Sequence, residues 1–163
     1  ATQFNSFLCP FHLTSTFLAF LLTMNLDRCF GVGKTNTEKK PLVLVVDSNI
    51  DNLCLVEEIL NPCCCSVMAA RDGEQALGMV KKYQPDLILI EAILPKIDGF
   101  KVVQHLRQKG NTTPVIALTT LVFAKELKEA LRAGCNGYIK KPFEIDELKA
   151  TVYHYLHQQA SPF

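Results

Sequence analysis

Four apolar residues, Leu87, Ile88, Leu89 and Ile90, run straight into an acid, Glu91. The run is too short for a helix and shows no polar alternation, so it reads as a strand buried on both faces. Such a strand needs strands beside it and helices above and below it. An acid at its C-terminal end falls where open α/β sheets place their sites, in the crevice beyond the strand ends. Pro95 and the pair Asp98-Gly99 then turn the chain, and a helix pattern begins at once.

From Pro41 onward this strand-then-helix pattern occurs five times. Leu42 to Val46 is a β-branched apolar run and predicts the first strand. Ser48 or Asn49 caps a helix with Ile50, Leu53, Val56 and Leu60 on one face, and Pro62 ends it. Ser66 to Ala70 predicts a second short strand. Asp72 with Gln75 forms a capping box for a helix carrying Ala76, Leu77 and Val80. Leu87 to Ile90 is the third strand. Asp98 caps a third helix with Phe100, Val103 and Leu106 inward, closed by Gly110. Val115 to Leu118 is the fourth strand. Phe123, Leu127, Ala130 and Leu131 mark a fourth helix, stopped by Gly134. Asn136 to Ile139 is the fifth strand, and Ile145, Leu148, Val152 and Tyr155 or Leu156 mark the last helix. Strict βα alternation with short loops predicts a parallel sheet with helices on both faces. The expected organisation is an extension or linker over 1–40, one α/β domain over 41–158 and a tail over 159–163, with no output domain after the fifth helix.

Residues 1–40 have a different character. Nothing before Asp27 is charged, and Phe17 to Met24 forms an apolar run of eight. That is short of the roughly 20 residues a spanning helix needs. The run also lacks the basic start of a signal peptide. The leading expectation is that Met24 is the true start, or that 1–24 is an extension foreign to the fold. A weak membrane-associating segment is the alternative. Gly31 to Thr35 resembles the end of a phosphate loop, but Arg28 stands where its first glycine belongs, so the stretch reads as linker. Net charge is +1 and hydrophobic content 48%. These values allow a full core and do not imply a polyanion partner. The seven cysteines show no CxxC pair and no framework spacing. They read as reduced thiols, and the chain as cytoplasmic with no membrane span.

The chemistry collects just past the strands. Asp47 and Ser48 follow the first, Glu91 the third, Thr119 and Thr120 the fourth, and Lys140 and Lys141 the fifth. Alone, each is a solvated strand-end polar group. Together they place two acids, a hydroxyl and a cation on one sheet edge, where a metal can bridge carboxylates with a lysine balancing charge.

These pieces resemble the CheY-like receiver domain, the phosphoacceptor module of two-component response regulators. The resemblance is carried by Val45-Val46-Asp47, Pro85 to Ile90, Leu94-Pro95 with Asp98-Gly99, Pro114 to Thr119, Ala133 to Tyr138, and Lys141-Pro142-Phe143. It implies a doubly wound, flavodoxin-like sheet in the order 2-1-3-4-5 and a cis Lys141–Pro142 bond. In that family an aspartate ending strand three takes a phosphoryl group. Two acids after strand one help hold Mg²⁺, and a Thr or Ser and a Lys contact the phosphoryl oxygens. Carried over, Asp47, Thr119 and Lys141 match, and Tyr138 matches the aromatic switch position. Two positions depart: Glu91 occupies the acceptor position, and Ser48 replaces the second acid.

Both departures affect phosphoryl transfer. Glu91 is one methylene longer, and a displacement of about 1 Å costs in-line chemistry roughly a hundredfold. Ser48 removes a charged ligand, leaving Asp47, Glu91 and the Ile93 carbonyl as a weakened or vestigial Mg²⁺ set. Glu91 then has two readings. It stands in for the phosphorylated state, drawing Thr119 and Tyr138 inward with a single charge against roughly −2 for phosphate. Alternatively the site has lapsed and Glu91–Lys141 is a structural ion pair. The favoured expectation is a phosphorylation-independent protein-interaction module, not an enzyme. Its partners would be a histidine kinase or a downstream signalling protein, through a surface near Leu121, Val122, Lys125, Glu126 and Lys140. The resemblance adds a homodimer through the helix 4–strand 5–helix 5 face, and the near-neutral charge gives no reason to expect a nucleic-acid partner. Three alternatives stay open: an Mg²⁺-dependent phosphoacceptor still served by a histidine kinase, a receiver broken from a larger kinase, and a small flavodoxin-like enzyme. Against the enzyme, no glycine-rich loop follows strand one, and His105, His154 and His157 lie on helices away from the strand ends.

Overall fold

A computed structural model describes residues 39–120 and 124–158. The predicted segments at Phe17 to Met24 and Gly31 to Thr35, residues 121–123 and the tail over 159–163 lie outside the described residues. So do the side chains of Lys125 and Glu126.

Among the described residues five strands and five helices alternate: β1 (Leu42–Val46), α1 (Ile50–Leu60), β2 (Ser66–Ala70), α2 (Gly73–Tyr83), β3 (Leu87–Glu91), α3 (Gly99–Gln108), β4 (Val115–Thr119), α4 (Ala124–Ala133), β5 (Gly137–Lys140) and α5 (Ile145–Gln158). All pairings are parallel. The order is β2-β1-β3-β4-β5, as the resemblance implies. The Lys141–Pro142 bond is cis.

The period of two along each strand sorts the core into two layers. Val43, Val45, Leu87, Leu89, Ile116, Leu118 and Ile139 pack under α1 and α5, against Leu53, Val56, Leu60, Leu148 and Val152. Leu44, Val46, Ile88, Ile90, Val115 and Ala117 pack under the other three helices, against Ala76, Val80, Val103, Leu106 and Ala130. Both faces of the central strands are therefore sealed, which is the arrangement that uninterrupted apolar runs require.

Local chemistry sets the helix ends. Asn49, not Ser48, caps α1, its Oδ1 accepting from the Asp51 and Asn52 amides at 2.8 and 3.3 Å. Asp72 accepts from the Gln75 amide at 2.8 Å, but the Gln75 side chain takes the Arg71 amide rather than that of the cap residue. Asp98 caps α3 through the Phe100 amide at 3.0 Å. Pro62 does not stop α1 abruptly. It sits in a 3-10 turn, Asn61–Cys63, that continues the helix.

Three apolar positions differ from the sequence pattern. Ile50 and Ile145 are the first residues of α1 and α5 and stand about half exposed, because the first turn overhangs the sheet edge. Leu131 is also exposed, and Ala130 and Ala133 carry the buried stripe of α4. The cysteines differ in part as well. Cys63, Cys65 and Cys135 are free thiols, whereas Cys54 is disulfide-bonded.

Candidate functional site: an ammonium between two carboxylates

Strand parity decides which strand-end residues meet. Asp47 continues the alternation of Val43 and Val45. Glu91 continues that of Leu87 and Leu89, and Lys141 that of Ile139. All three therefore emerge on the α1–α5 side of the sheet at its C-terminal edge. Register aligns them, with Glu91 beside Leu118 and Thr119 beside Lys140. The Lys141 amide adds one more rung by donating to the Thr119 carbonyl at 2.8 Å.

Lys141 Nζ lies between the two acids, 2.5 Å from Asp47 Oδ2 and 2.7 Å from Glu91 Oε2. The three side chains are 14%, 6% and 13% exposed, so water screens the cluster little. Burial alone pulls the Lys141 ammonium down. Its bonds to Asp47 and Glu91 outweigh that and hold it above the usual lysine value of 10.5.

Each carboxylate has further donors. Glu91 Oε1 accepts from its neighbouring amides, Ala92 at 2.8 Å and Ile93 at 3.4 Å. The loop that makes this possible folds back tightly. Gly99 donates to the Ala92 carbonyl at 2.9 Å, and a Cβ on Gly99 would run into the Glu91 carbonyl oxygen. Asp47 Oδ1 accepts from the Asn49 amide at 2.8 Å, and Oδ2 from Asn52 Nδ2 at 3.0 Å.

The structure thus brings together Asp47, Glu91 and Lys141. Thr119 is buried at the end of β4, on the parity of Val115 and Ala117. Tyr138 is 47% exposed, so its ring is not drawn inward as the phosphate-mimic reading expects. β5 is an edge strand of the sheet. The Ile93 amide donates to Glu91 Oε1 at 3.4 Å. Sequence reasoning missed Asn52. Its only signal was an asparagine one turn into a helix that starts beside the site.

The donor set suits an ammonium better than a divalent ion. Mg²⁺ demands several oxygen ligands at octahedral angles. Two carboxylates face this site, the residue beside Asp47 is an exposed serine, and Lys141 already neutralises one charge. Among the described residues no group of three or more His, Cys, Asp or Glu is arranged to hold a metal.

A βα sheet of this order with an acid-and-lysine cluster at its C-terminal edge defines a receiver-type signalling module. The response regulator receiver domain model matches residues 43–153, and the chain belongs to that family, the receiver modules of two-component signalling. A probable transcriptional regulator ycf27 from Porphyridium aerugineum is 34% identical over 114 residues, which is 70% of this chain and 47% of that protein. The chain therefore spans about half the length of this curated relative. Among solved structures, the receiver domain of the Francisella response regulator 1452 superimposes with a TM-score of 0.71 at 30% identity, over 74% of this chain and 99% of that one. Chemotaxis protein CheY4 of Vibrio cholerae gives 0.68 at 29% identity, over 72% and 100%. Receiver domains as a family bind Mg²⁺ at their acidic site and engage histidine kinases and downstream proteins. No helix among the described residues is long and apolar enough to cross a membrane.

Proposed function

We propose that this receiver acts without phosphorylation, as a cytoplasmic protein-binding module in which Glu91 and Lys141 form a permanent ion pair. The observation that carries this reading is the Lys141 ammonium, bonded at once to Asp47 and to Glu91. The longer glutamate arm reaches the lysine while its other oxygen is tied to the Ala92 amide. An incoming phosphoryl donor would meet a carboxylate whose oxygens are both engaged. Phosphoryl transfer rests on placement and charge stabilisation, and this arrangement supplies neither for Glu91 as nucleophile. The outward Tyr138 supports a pair that holds one setting of the α4–β5–α5 face, with the ring available to a partner or a second copy. The role is that of a signalling component rather than an enzyme, and Asp47, Glu91 and the Ile93 carbonyl keep at most a vestigial metal seat.

Acetyl phosphate with Mg²⁺ tests this directly. Intact mass spectrometry is expected to show no phosphorylated species. A phosphorylated product that disappears in Glu91→Gln overturns the reading in favour of a working phosphoacceptor. Partner capture from native extract should differ between wild type and Glu91→Ala, because the variant removes the pair.

A further inference from the structure

We infer that Asn52 is a positioning residue that aims the Asp47 carboxylate at Lys141. The inference rests on the permanent-pair reading above and names what holds the pair in place. Asp47 projects from the end of β1 into a space bounded by the first turn of α1. Its Oδ1 is fixed by one backbone donor, the Asn49 amide at 2.8 Å. One bond leaves the carboxylate plane free to rotate about its last torsion. The second oxygen settles the matter, since Oδ2 takes Lys141 Nζ and Asn52 Nδ2 at 2.5 and 3.0 Å.

The direction of that second bond carries the argument. Asn52 gives Asp47 a donor and no charge. A donor there stabilises an anion already paired with an ammonium, and it occupies a lone pair that a metal would otherwise need. The adjacent Ser48 is exposed. Without the amide, Asp47 can turn toward that open side and leave Lys141 with Glu91 alone. Asn52 is itself set by the cap, since its backbone amide donates to Asn49 Oδ1 at 3.3 Å. The same asparagine cap that starts α1 thus delivers the side chain that orients the ion pair.

The readout is the acylation rate of Lys141 in the full-length protein, measured with N-hydroxysuccinimidyl acetate and peptide mass mapping against exposed Lys101. Asn52→Leu, which keeps volume and helix but has no donor, is expected to speed Lys141 labelling about tenfold, the scale of one lost hydrogen bond to a charged group. Asn52→Ala should act likewise, and Asn52→Gln, which keeps an amide on a longer arm, should return most of the way to wild type. Val80→Ala, in the core under the opposite face, lowers stability without touching Asp47 and should leave the ratio unchanged. Wild-type labelling in Asn52→Leu, or equal acceleration in Val80→Ala, overturns the inference. Phosphorylation of Glu91 in wild type together with faster labelling in Asn52→Leu sinks the permanent-pair reading while leaving the role of Asn52 standing.

Discussion

The two edges of this sheet each hold a half-buried cation, and they hold it in different ways. At the C-terminal edge Lys141 is clasped by two carboxylates. At the N-terminal edge Arg107, from the last turn of α3, spreads its guanidinium over neutral oxygens. Nε donates to the Gly134 carbonyl at 3.0 Å, Nη1 to those of Asn111 and Thr113 at 2.9 Å each, and Nη2 to Asn136 Oδ1 at 3.0 Å. Asn136 Oδ1 also takes the Val115 amide, so the arginine ties together the loops entering β4 and β5. Gly134 has φ +101° and leaves no room for a Cβ beside the arginine stem. Burial pulls the Arg107 guanidinium down and pushes the neighbouring Cys135 thiol up to about 11, so no thiolate forms there near neutral pH. The Arg107 edge is a brace of carbonyls that needs a donor fork. The Lys141 edge is a charge balance in a place where the family performs chemistry. Only the second can be altered by exchanging one cation for another.

That contrast can be broken by mutation. The largest effect is expected from Lys141→Met, which leaves Asp47 and Glu91 facing each other with no cation and should cost about 3 kcal/mol in chemical denaturation. Added Mg²⁺ should recover part of that loss by taking the vacated place. Arg107→Ala removes four donated bonds from a half-buried site where water replaces some of them, and about 2 kcal/mol is expected. Mg²⁺ should leave that variant unmoved, because no carboxylate is uncovered. Arg107→Lys should recover little, since a point charge cannot serve several diverging carbonyls.

A smaller effect distinguishes the two edges by pH. The Lys141 value is raised on folding, so its stabilisation is complete below the ordinary value of 10.5 and is lost as pH climbs through the higher folded value. Thermal midpoints of wild type should therefore fall over that alkaline range, and those of Lys141→Met should fall less. The smallest effect belongs to Lys96→Ala. Lys96 pairs with Asp72 at 2.8 Å and Glu74 at 3.4 Å but stands exposed, and removing it should leave the thermal midpoint within error at physiological salt.

Much of the fold was legible because apolar runs and caps are local signals. Leu87 to Ile90 could bury only in a strand covered on both faces, and Asp72 and Asp98 marked helix starts that the structure keeps. The exposed Ile50 and Ile145 were misjudged because periodicity does not show where a helix overhangs the sheet. Within the site, Asp47, Glu91 and Lys141 were identifiable from their places after the strands. Asn52 was not, because its partner is five residues away through a turn whose geometry no pattern encodes. An inward Tyr138 ring belonged to one of the two readings of Glu91, and its 47% exposure argues against that one.

The sequence by itself determined the alternation of strands and helices and the edge at which charge gathers. These follow from side-chain size, polarity and spacing along the chain. The tertiary structure alone decided that Lys141 fills the gap between Asp47 and Glu91, and that an asparagine amide steadies one of them. Residues 47, 91 and 141 lie far apart in the chain, and only the register and twist of the assembled sheet set the distances between their charges.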